Sequence, residues 1–254
     1  MAETVRKYKC GLVLSGGGTR GFAHLGVAQA LYEAGIYPDV ISGTSAGSIA
    51  GAFLAAGKKP REIAELFKQG SFFQYTKLQI PRDGLMKLDG LKELIGKEIQ
   101  AKNIEELPVP LFVTVSNLNT GEVEYRNKGS LEENVLASSS IPILFAPVKI
   151  NGHLFVDGGL LDNIPIEPIK LDCEKIIVCN ISPINPKEGF KNLIHIATRT
   201  FYMSVNANMA KVKKYATYYI EPKGIDQYEI LSRTHAGELF ELGYQAMLAQ
   251  LKKS

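Results

Sequence analysis

The stretch LVLSGGGTRGFAHLGV, residues 12–27, passes from an apolar run to a helical pattern across three consecutive glycines. The apolar run at 10–15 is typical of a buried strand, and residues 21–34 carry apolar side chains at helical spacing. The three glycines are Gly16, Gly17 and Gly18. They leave bare backbone where a strand meets a helix. We expect these amides either to cradle a phosphate or to stabilise a negative oxygen formed in a reaction.

The same alternation of strand and helix continues along the chain. A second short strand is predicted at 39–43 and a second helix at 48–57, which favours a doubly wound α/β sheet. Asp89 is expected to cap the helix that follows it. Further strands are predicted at 110–118, 122–126, 153–159 and 175–182, and further helices from Pro60 and at 190–215 and 235–252.

Composition limits the function classes. The 254 residues can bury one substantial core, and 45% hydrophobic with 22% charged residues is ordinary for a globular protein. A net charge of +3 argues against a nucleic-acid partner but is compatible with transient contact with an anionic membrane surface. The sequence shows neither the apolar core of a signal peptide nor a transmembrane-length apolar window, so we expect a cytoplasmic protein.

Taken alone, the glycine loop also fits a dinucleotide site. Gly16, Gly18 and Gly21 satisfy GxGxxG, and Asp39 lies 18 residues beyond Gly21. A Walker loop is excluded because no GK[ST] follows the glycines. A non-catalytic nucleotide-binding domain therefore stays open at this point.

The stretch GTSAG, residues 43–47, favours the catalytic alternative. Its residues are Gly43, Thr44, Ser45, Ala46 and Gly47. A GxSxG sequence between a strand and a helix is typical of a nucleophile elbow, in which flanking glycines relieve close contacts and the helix dipole favours negative charge. Ser45 is therefore the expected nucleophile, and the glycine loop would supply the oxyanion hole.

A serine nucleophile needs a base. The four histidines are His24, His153, His195 and His235. His195 and His235 have no glycine-rich loop to present them, His153 is expected to flank a turn, and His24 is expected to pack inside the first helix. Asp157 stands at the end of an apolar strand, directly before two glycines, where an α/β fold places catalytic groups at the carboxyl edge of its sheet. Asp157 is the favoured base, and a triad through His195 or His235 is the alternative.

Three motifs in order, GGGTRG, GTSAG and DGG, resemble the signatures of the patatin-like phospholipase family. The stretches ASSSIPILFAPV (137–148), DNIP (162–165) and VSNLNTGEVEYR (115–126) are also similar to segments of that family. The resemblance covers about residues 10–185, and residues 186–254 add little to it.

The resemblance implies a fold and a chemistry. The fold would be a three-layer α/β/α sandwich around a mostly parallel sheet, forming one catalytic domain over 1–254 with a helical C-terminal part at 186–254. The activity would be hydrolysis of acyl-lipid esters by a Ser45–Asp157 dyad that requires no metal or cofactor. Amides of Gly16, Gly17 and Gly18 would form the oxyanion hole, with the Ala46 amide as a further donor. Arg20 would either orient the loop or attract the phosphate of a lipid head group.

Overall fold

The computed structural model describes residues 6–69, 88–184 and 209–253 except 231 and 233, together with the single positions 186, 189, 196, 199, 200 and 203. His195 lies outside the described residues, as does most of the helix expected at 190–215.

Strands and helices alternate through the first half of the chain. The described strands are β1 (Tyr8–Leu14), β2 (Val40–Thr44), β3 (Leu111–Asn117), β4 (Glu122–Arg126), β5 (Val148–Ile150), β6 (His153–Asp157), β7 (Cys173–Cys179) and β8 (Tyr218–Ile220). The described helices are α1 (Phe22–Glu33), α2 (Ala46–Ala55), α3 (Pro60–Gln69), α4 (Asp89–Glu98), α5 (Leu131–Ser138), α6 (Met209–Tyr215) and α7 (Ala236–Leu251). Short 3₁₀ turns cover Gly18–Gly21, Ile104–Glu106, Gly158–Leu160 and Ile225–Gln227.

The described strands form one sheet. Hydrogen-bonded pairs link them in the succession β5-β6-β3-β2-β1-β7-β8, and β4 also pairs with β3. Strands β1, β2, β3, β7 and β8 run parallel, whereas β4, β5 and β6 pair antiparallel. This confirms the α/β class and the mostly parallel central sheet.

Strand β3 organises the site because two other strands share one of its edges. Thr114 pairs with both Thr44 of β2 and Tyr125 of β4, so β2 and β4 lie on opposite edges of β3. The next residue, Val115, pairs with both β4 and Asp157 of β6, so β6 also lies opposite β4. Strands β2 and β6 therefore follow one another along the same edge, and their C-terminal ends meet.

Apolar side chains are buried on both faces of the sheet, as expected for a three-layer sandwich. On β1, Leu12 and Leu14 join a core formed largely with helices α1–α5 and α7, while Val13 between them joins a second core. That second core contains Ile169 and, from helix α6, Val212. Both layers exclude water from β1, whose residues 12–14 are fully buried.

Local sequence explains most helix boundaries. Ser130 accepts a hydrogen bond from the Glu133 amide and so caps α5. The prediction that Asp89 caps α4 is wrong: Leu88 precedes the helix without a side-chain cap, and Asp89 is its first residue. An acidic residue in the first turn interacts favourably with the helix dipole, which explains why Asp89 lies only one residue from the cap position.

In the described part of the chain, no helix combines the length and the apolar character needed to cross a bilayer.

Candidate active site

The GTSAG stretch forms a sharp turn between β2 and α2. Ser45 has a φ of 53°, a strained value for a residue with a side chain. A Cβ on Gly47 would lie 2.1 Å from the Leu14 carbonyl oxygen, and one on Gly43 would lie 2.4 Å from the Gly47 carbonyl oxygen. Both positions therefore admit only glycine, and the turn has the form of a nucleophile elbow.

Neighbouring hydroxyls hold the elbow in place. The Thr44 hydroxyl donates to the Asp162 carbonyl at 3.1 Å, and the Ser48 hydroxyl donates to the Ser45 carbonyl at 2.7 Å. The Ser45 amide donates to Oγ of Ser138 at 2.9 Å. None of these three bonds uses the Ser45 hydroxyl.

Ser45 and Asp157 meet directly. Ser45 Oγ donates to Asp157 Oδ2 at 2.6 Å, and the other carboxylate oxygen accepts the Gly159 amide at 2.8 Å. Ser45 is 6% exposed and Asp157 1% exposed. The two residues come together because the ends of β2 and β6 meet on β3.

The position of Asp157 differs from expectation in one respect, the direction of its strand. Strand β6 is antiparallel to β3, so Asp157 approaches the carboxyl end of β2 from the opposite direction. It reaches Ser45 because β2 ends one β3 residue earlier, at the Thr44–Thr114 pair. A Cβ on Gly158 would lie 2.3 Å from the Thr114 carbonyl oxygen, so the glycine after Asp157 lets the chain turn close to β3.

Burial controls the protonation of this carboxyl group. Removal from water raises the pKa of Asp157 to about 7, because the charged form loses its hydration. The hydrogen bonds from Ser45 and Gly159 oppose this shift, since they stabilise the carboxylate. A carboxyl group with a pKa near neutrality can accept and return a proton at physiological pH.

The glycine loop, Gly16–Gly18, lies beside the elbow but differs from expectation at its first residue. The Gly16 amide donates to both Oδ1 and the backbone carbonyl of Asn163, at 3.1 and 3.2 Å. A Cβ on Gly16 would lie 2.4 Å from Asn163 Oδ1 and 3.2 Å from Ser45 Cβ. The Gly16 amide is thus occupied by Asn163, which corrects the expectation that all three amides are open to a reacting oxygen.

Two amides of the loop remain available. Among the described residues, neither the Gly17 nor the Gly18 amide donates a hydrogen bond to another group. The Ala46 amide starts α2, where a helix lacks an internal acceptor. A Cβ on Gly21 would lie 3.2 Å from that of Ala46, so the loop region and the elbow approach closely.

A segment far along the chain holds the loop. The Arg20 guanidinium donates to the Tyr228 carbonyl at 2.7 and 3.0 Å and to the Asp226 carbonyl at 3.1 Å. The Thr19 amide donates to the Ile230 carbonyl at 2.8 Å. Arg20 is half-buried among these carbonyls. This position favours its expected role in orienting the loop over a role in attracting a phosphate.

The three histidines that the structure describes lie in other surroundings. His24 is fully buried, its Nε2 lies 2.7 Å from the Ser15 carbonyl oxygen, and burial lowers its pKa to about 4. His153 pairs with Asn117 at 3.1 Å, and His235 pairs with Glu238 at 2.9 Å. Because Ser45 donates directly to Asp157, no imidazole stands between them.

Asp39 weakens the dinucleotide alternative. In that alternative an acidic residue lies near the glycine loop, beyond the carboxyl end of the second strand. Asp39 instead precedes β2 at its opposite end and accepts the Cys10 amide at 2.8 Å. Its carboxylate therefore lies at the edge of the sheet away from the glycines.

An open apolar pocket borders the loop and the elbow. Gly18 and Ala46 are part of its lining, and Leu25, Ile49 and Phe67 contribute apolar side chains. A pocket of this character suits a hydrocarbon chain.

A sequence model of one family, described as patatin-like phospholipase, matches residues 12–170. The chain belongs to the patatin-like phospholipase family. The match includes the loop, the elbow and Asp157, and it stops before the segment around Tyr228 that holds Arg20.

Curated relatives agree with this family. An uncharacterized NTE family protein of Mycobacterium tuberculosis is 36% identical over 184 residues, which cover 70% of this chain and 31% of that protein. Lysophospholipase nte1 of Aspergillus fumigatus is 28% identical over 270 residues, covering 92% of this chain and 18% of that protein. The chain thus spans less than half the length of these patatin-like relatives.

Solved structures share the fold. VipD from Legionella pneumophila superposes with a TM-score of 0.58 and 17% identity, covering 97% of this chain and 67% of that chain. ExoU from Pseudomonas aeruginosa, in complex with SpcU, gives a TM-score of 0.52 and 15% identity, covering 98% and 53%. At identities of 17% and 15%, these two comparisons show a shared fold.

Two site residues carry no role in the sequence analysis. Ser138 and Asn163 contact Ser45 and Gly16 respectively, and each is at least 98% buried. Both lie in stretches that resemble the patatin-like family, ASSSIPILFAPV and DNIP. That resemblance was a signal that these stretches belong to the site. Spacing along the chain does not indicate which serine contacts Ser45 or which side-chain amide contacts Gly16.

Proposed function

We propose that this chain is a serine lipid acyl hydrolase that cleaves carboxylic ester bonds of phospholipids or other acyl lipids. The observation that carries the proposal is the 2.6 Å hydrogen bond from Ser45 Oγ to a buried Asp157 carboxylate. A hydroxyl that already donates to a base of suitable pKa is prepared to lose its proton when it attacks a carbonyl carbon. The family match and the name of the Aspergillus relative, a lysophospholipase, support an acyl-lipid substrate.

In the first half-reaction, Ser45 Oγ attacks the ester carbonyl carbon while Asp157 takes the hydroxyl proton. The carbonyl oxygen becomes an oxyanion, which the amides of Gly17, Gly18 and Ala46 would stabilise. When the tetrahedral intermediate collapses, the bond to the alkoxy oxygen breaks and Asp157 returns the proton to the leaving alcohol. The product on the enzyme is an ester between Ser45 and the acyl group.

In the second half-reaction, water replaces the alcohol. Asp157 takes a proton from the water as it attacks the acyl-enzyme, and the same amides hold the second oxyanion. Collapse releases the fatty acid and returns the proton to Ser45 Oγ. The dyad ends each cycle in its starting state, so the residues require no metal or cofactor.

The proposed mechanism also orients the substrate. The leaving alcohol must face Asp157, because that carboxyl group protonates it. With the carbonyl oxygen directed at the amides, the acyl chain then extends away from Asp157. The apolar pocket, whose lining includes Gly18 and Ala46, would hold the acyl chain while the head group stays outside.

We further propose that the C-terminal part, 186–254, belongs to the same catalytic domain. The carbonyls of residues 226–230 hold Thr19 and Arg20 beside the loop. Helix α7 packs closely on α1, since a Cβ on Gly26 would lie 1.9 Å from the Phe240 carbonyl oxygen. Both contacts support one unit that includes the segment beyond the family match.

The test is intact mass after treatment with a fluorophosphonate ester probe. We expect one adduct on the wild type, none on Ser45→Ala, and a greatly slowed reaction of Asp157→Asn, because the two side chains act as one unit. Asp162→Asn is the matched control: this half-buried carboxylate lies five residues along but accepts the Tyr125 hydroxyl at 2.6 Å and not that of Ser45. It should react like the wild type.

An adduct that persists on Ser45→Ala, or an unchanged rate for Asp157→Asn, would contradict the assignment of the dyad. A lipid-hydrolysis assay with the same variants then tests the substrate class. Loss of activity in His195→Ala or in His235→Ala would support the triad alternative.

A further inference from the structure

Three consecutive serines follow one another at the C-terminal end of α5, and their hydroxyls have different partners. The Ser139 hydroxyl donates to the Val135 carbonyl at 2.8 Å, and the Ser140 hydroxyl donates to the Leu136 carbonyl at 2.9 Å. Both bonds return to the helix itself. Ser138 differs, because its Oγ accepts the Ser45 amide at 2.9 Å.

The Ser45 amide has few other options. Ser45 is in a left-handed conformation, with a φ of 53°, between the end of β2 and the start of α2. A buried backbone amide needs an acceptor, and here a side chain supplies it in place of a strand or helix neighbour. Backbone strain at a functional residue persists only where surrounding contacts hold it. The Ser138 hydroxyl is such a contact.

The same run of serines also holds Asp157. The Asp157 amide donates to the Ser140 carbonyl at 3.0 Å. One short segment therefore binds the backbone of both residues that share the 2.6 Å hydrogen bond. The Ser45 amide depends on a side chain, whereas the Asp157 amide depends on the backbone, so a substitution at Ser138 affects one side of the pair selectively.

We propose that Ser138 is a positioning residue that sets the Ser45 hydroxyl against Asp157 by holding the Ser45 amide. This inference rests on the proposed function, because it assumes that Ser45 is the nucleophile. Ser138 acts through Ser45 and does not itself contact the reacting atoms.

The experiment compares Ser138→Ala with Ser139→Ala, which removes a hydroxyl from the same helix end without touching the elbow. The measurements are the rate of fluorophosphonate labelling, and kcat and KM for p-nitrophenyl butyrate. We expect Ser138→Ala to lower the labelling rate and kcat about 10- to 100-fold with little change in KM, since a small misplacement of a nucleophile has effects of that size. The control variant should stay within about threefold of the wild type.

A second readout separates positioning from general loss of structure. A displaced Ser45 donates a weaker hydrogen bond to Asp157, so the acid limb of the pH–rate profile should move to higher pH in Ser138→Ala alone. Ser138→Thr keeps the hydroxyl and should restore the rate, whereas Ser138→Cys, with a weakly accepting thiol, should resemble Ser138→Ala.

The outcomes are distinguishable. Equal rates for Ser138→Ala and Ser139→Ala, or for the threonine and cysteine variants at position 138, would overturn the role of Ser138 while leaving the dyad intact. The threonine–cysteine comparison decides the question even if Ser138→Ala does not fold. A wild type that takes no adduct would overturn the proposed function itself.

Discussion

Thr44 and Asp157 face consecutive residues, Thr114 and Val115, on the same edge of strand β3. Strand β2 runs parallel to β3, and Ser45, the proposed nucleophile, follows its end. Strand β6 runs antiparallel to β3 and ends at Asp157, the proposed base. The separation between them is therefore fixed by backbone pairing to a shared strand. Such a base needs no flexible side chain to reach the serine, and its properties follow from its burial.

The activity should depend on the ionisation of Asp157. Only the carboxylate can accept the Ser45 proton, and burial raises the pKa of this group to about 7. We expect kcat/KM for p-nitrophenyl butyrate to rise with pH between about pH 5 and pH 9, with a midpoint near neutrality. The labelling rate of the fluorophosphonate probe should have the same midpoint, because it depends on the same free enzyme. A flat profile over this range would exclude Asp157 as the base.

Stability should show the opposite pH dependence. The pKa of Asp157 is about 7 in the folded state and about 3.9 in an unfolded chain. The folded state therefore binds more protons between these values, and its stability falls as pH rises from about 4 to about 7. Asp157→Asn removes this loss, so its melting temperature relative to the wild type should be several degrees higher at about pH 8 than at about pH 4.5.

Ser45→Ala is the control for the stability measurement. It keeps the buried carboxyl group and should retain at least the pH dependence of the wild type. A melting-temperature difference between Asp157→Asn and the wild type that is equal at both pH values would contradict the raised pKa.

Replacing Arg20 should lower the turnover rate without weakening the recognition of a substrate phosphate. Its guanidinium is engaged with the carbonyls of Asp226 and Tyr228, so Arg20→Gln releases the glycine loop from that segment. We expect kcat to fall about tenfold or more for an uncharged p-nitrophenyl ester and for a lysophospholipid alike, with similar KM. A rise in KM confined to the lysophospholipid would instead indicate contact with the head group.

Arg61→Gln is a matched control for that comparison. Arg61 lies on α3 with its side chain 66% exposed and approaches Glu33 at only 4.0 Å. Removing an exposed charge of this kind should leave both substrates turned over at nearly the wild-type rate.

The apolar pocket should select the acyl chain. Ile49 of α2 lines it and is half-buried beside the main core. Ile49→Phe should lower the ratio of kcat/KM for decanoate to that for acetate esters, and Ile49→Ala should raise it, each by roughly 10-fold. Because a general loss of folded enzyme lowers both rates equally, the ratio isolates the pocket. Shifts in the same direction for both variants would exclude this location for the acyl chain.

The sequence predicted the parts of the site that depend on neighbours in the chain. The elbow around Ser45 and the position of Asp157 before two glycines are marked by local steric requirements, since turns that bring backbones together need glycine. Both features are present, and the α/β alternation that places them is also confirmed.

The parts that were missed depend on distant partners. Asn163 takes the Gly16 amide across 147 positions, and Ser138 takes the Ser45 amide across 93. The antiparallel direction of β6 was missed for the same reason: an apolar strand has the same pattern in either direction. Pairing partners and strand directions are set by the assembled sheet, and a single sequence does not display them.

The contact between Arg20 and Tyr228 spans 208 positions and also has a consequence in time. A ribosome releases Ser45 and Asp157 before it has made residues 226–230, so a nascent chain carries both groups of the dyad while its glycine loop still lacks these carbonyl partners. We expect ribosome-bound chains stalled before residue 226 to label with the fluorophosphonate probe more slowly than the released protein; equal rates would refute this. The proposed activity would thus be weak in a partly synthesised chain and reach its full rate once the segment around Tyr228 has folded.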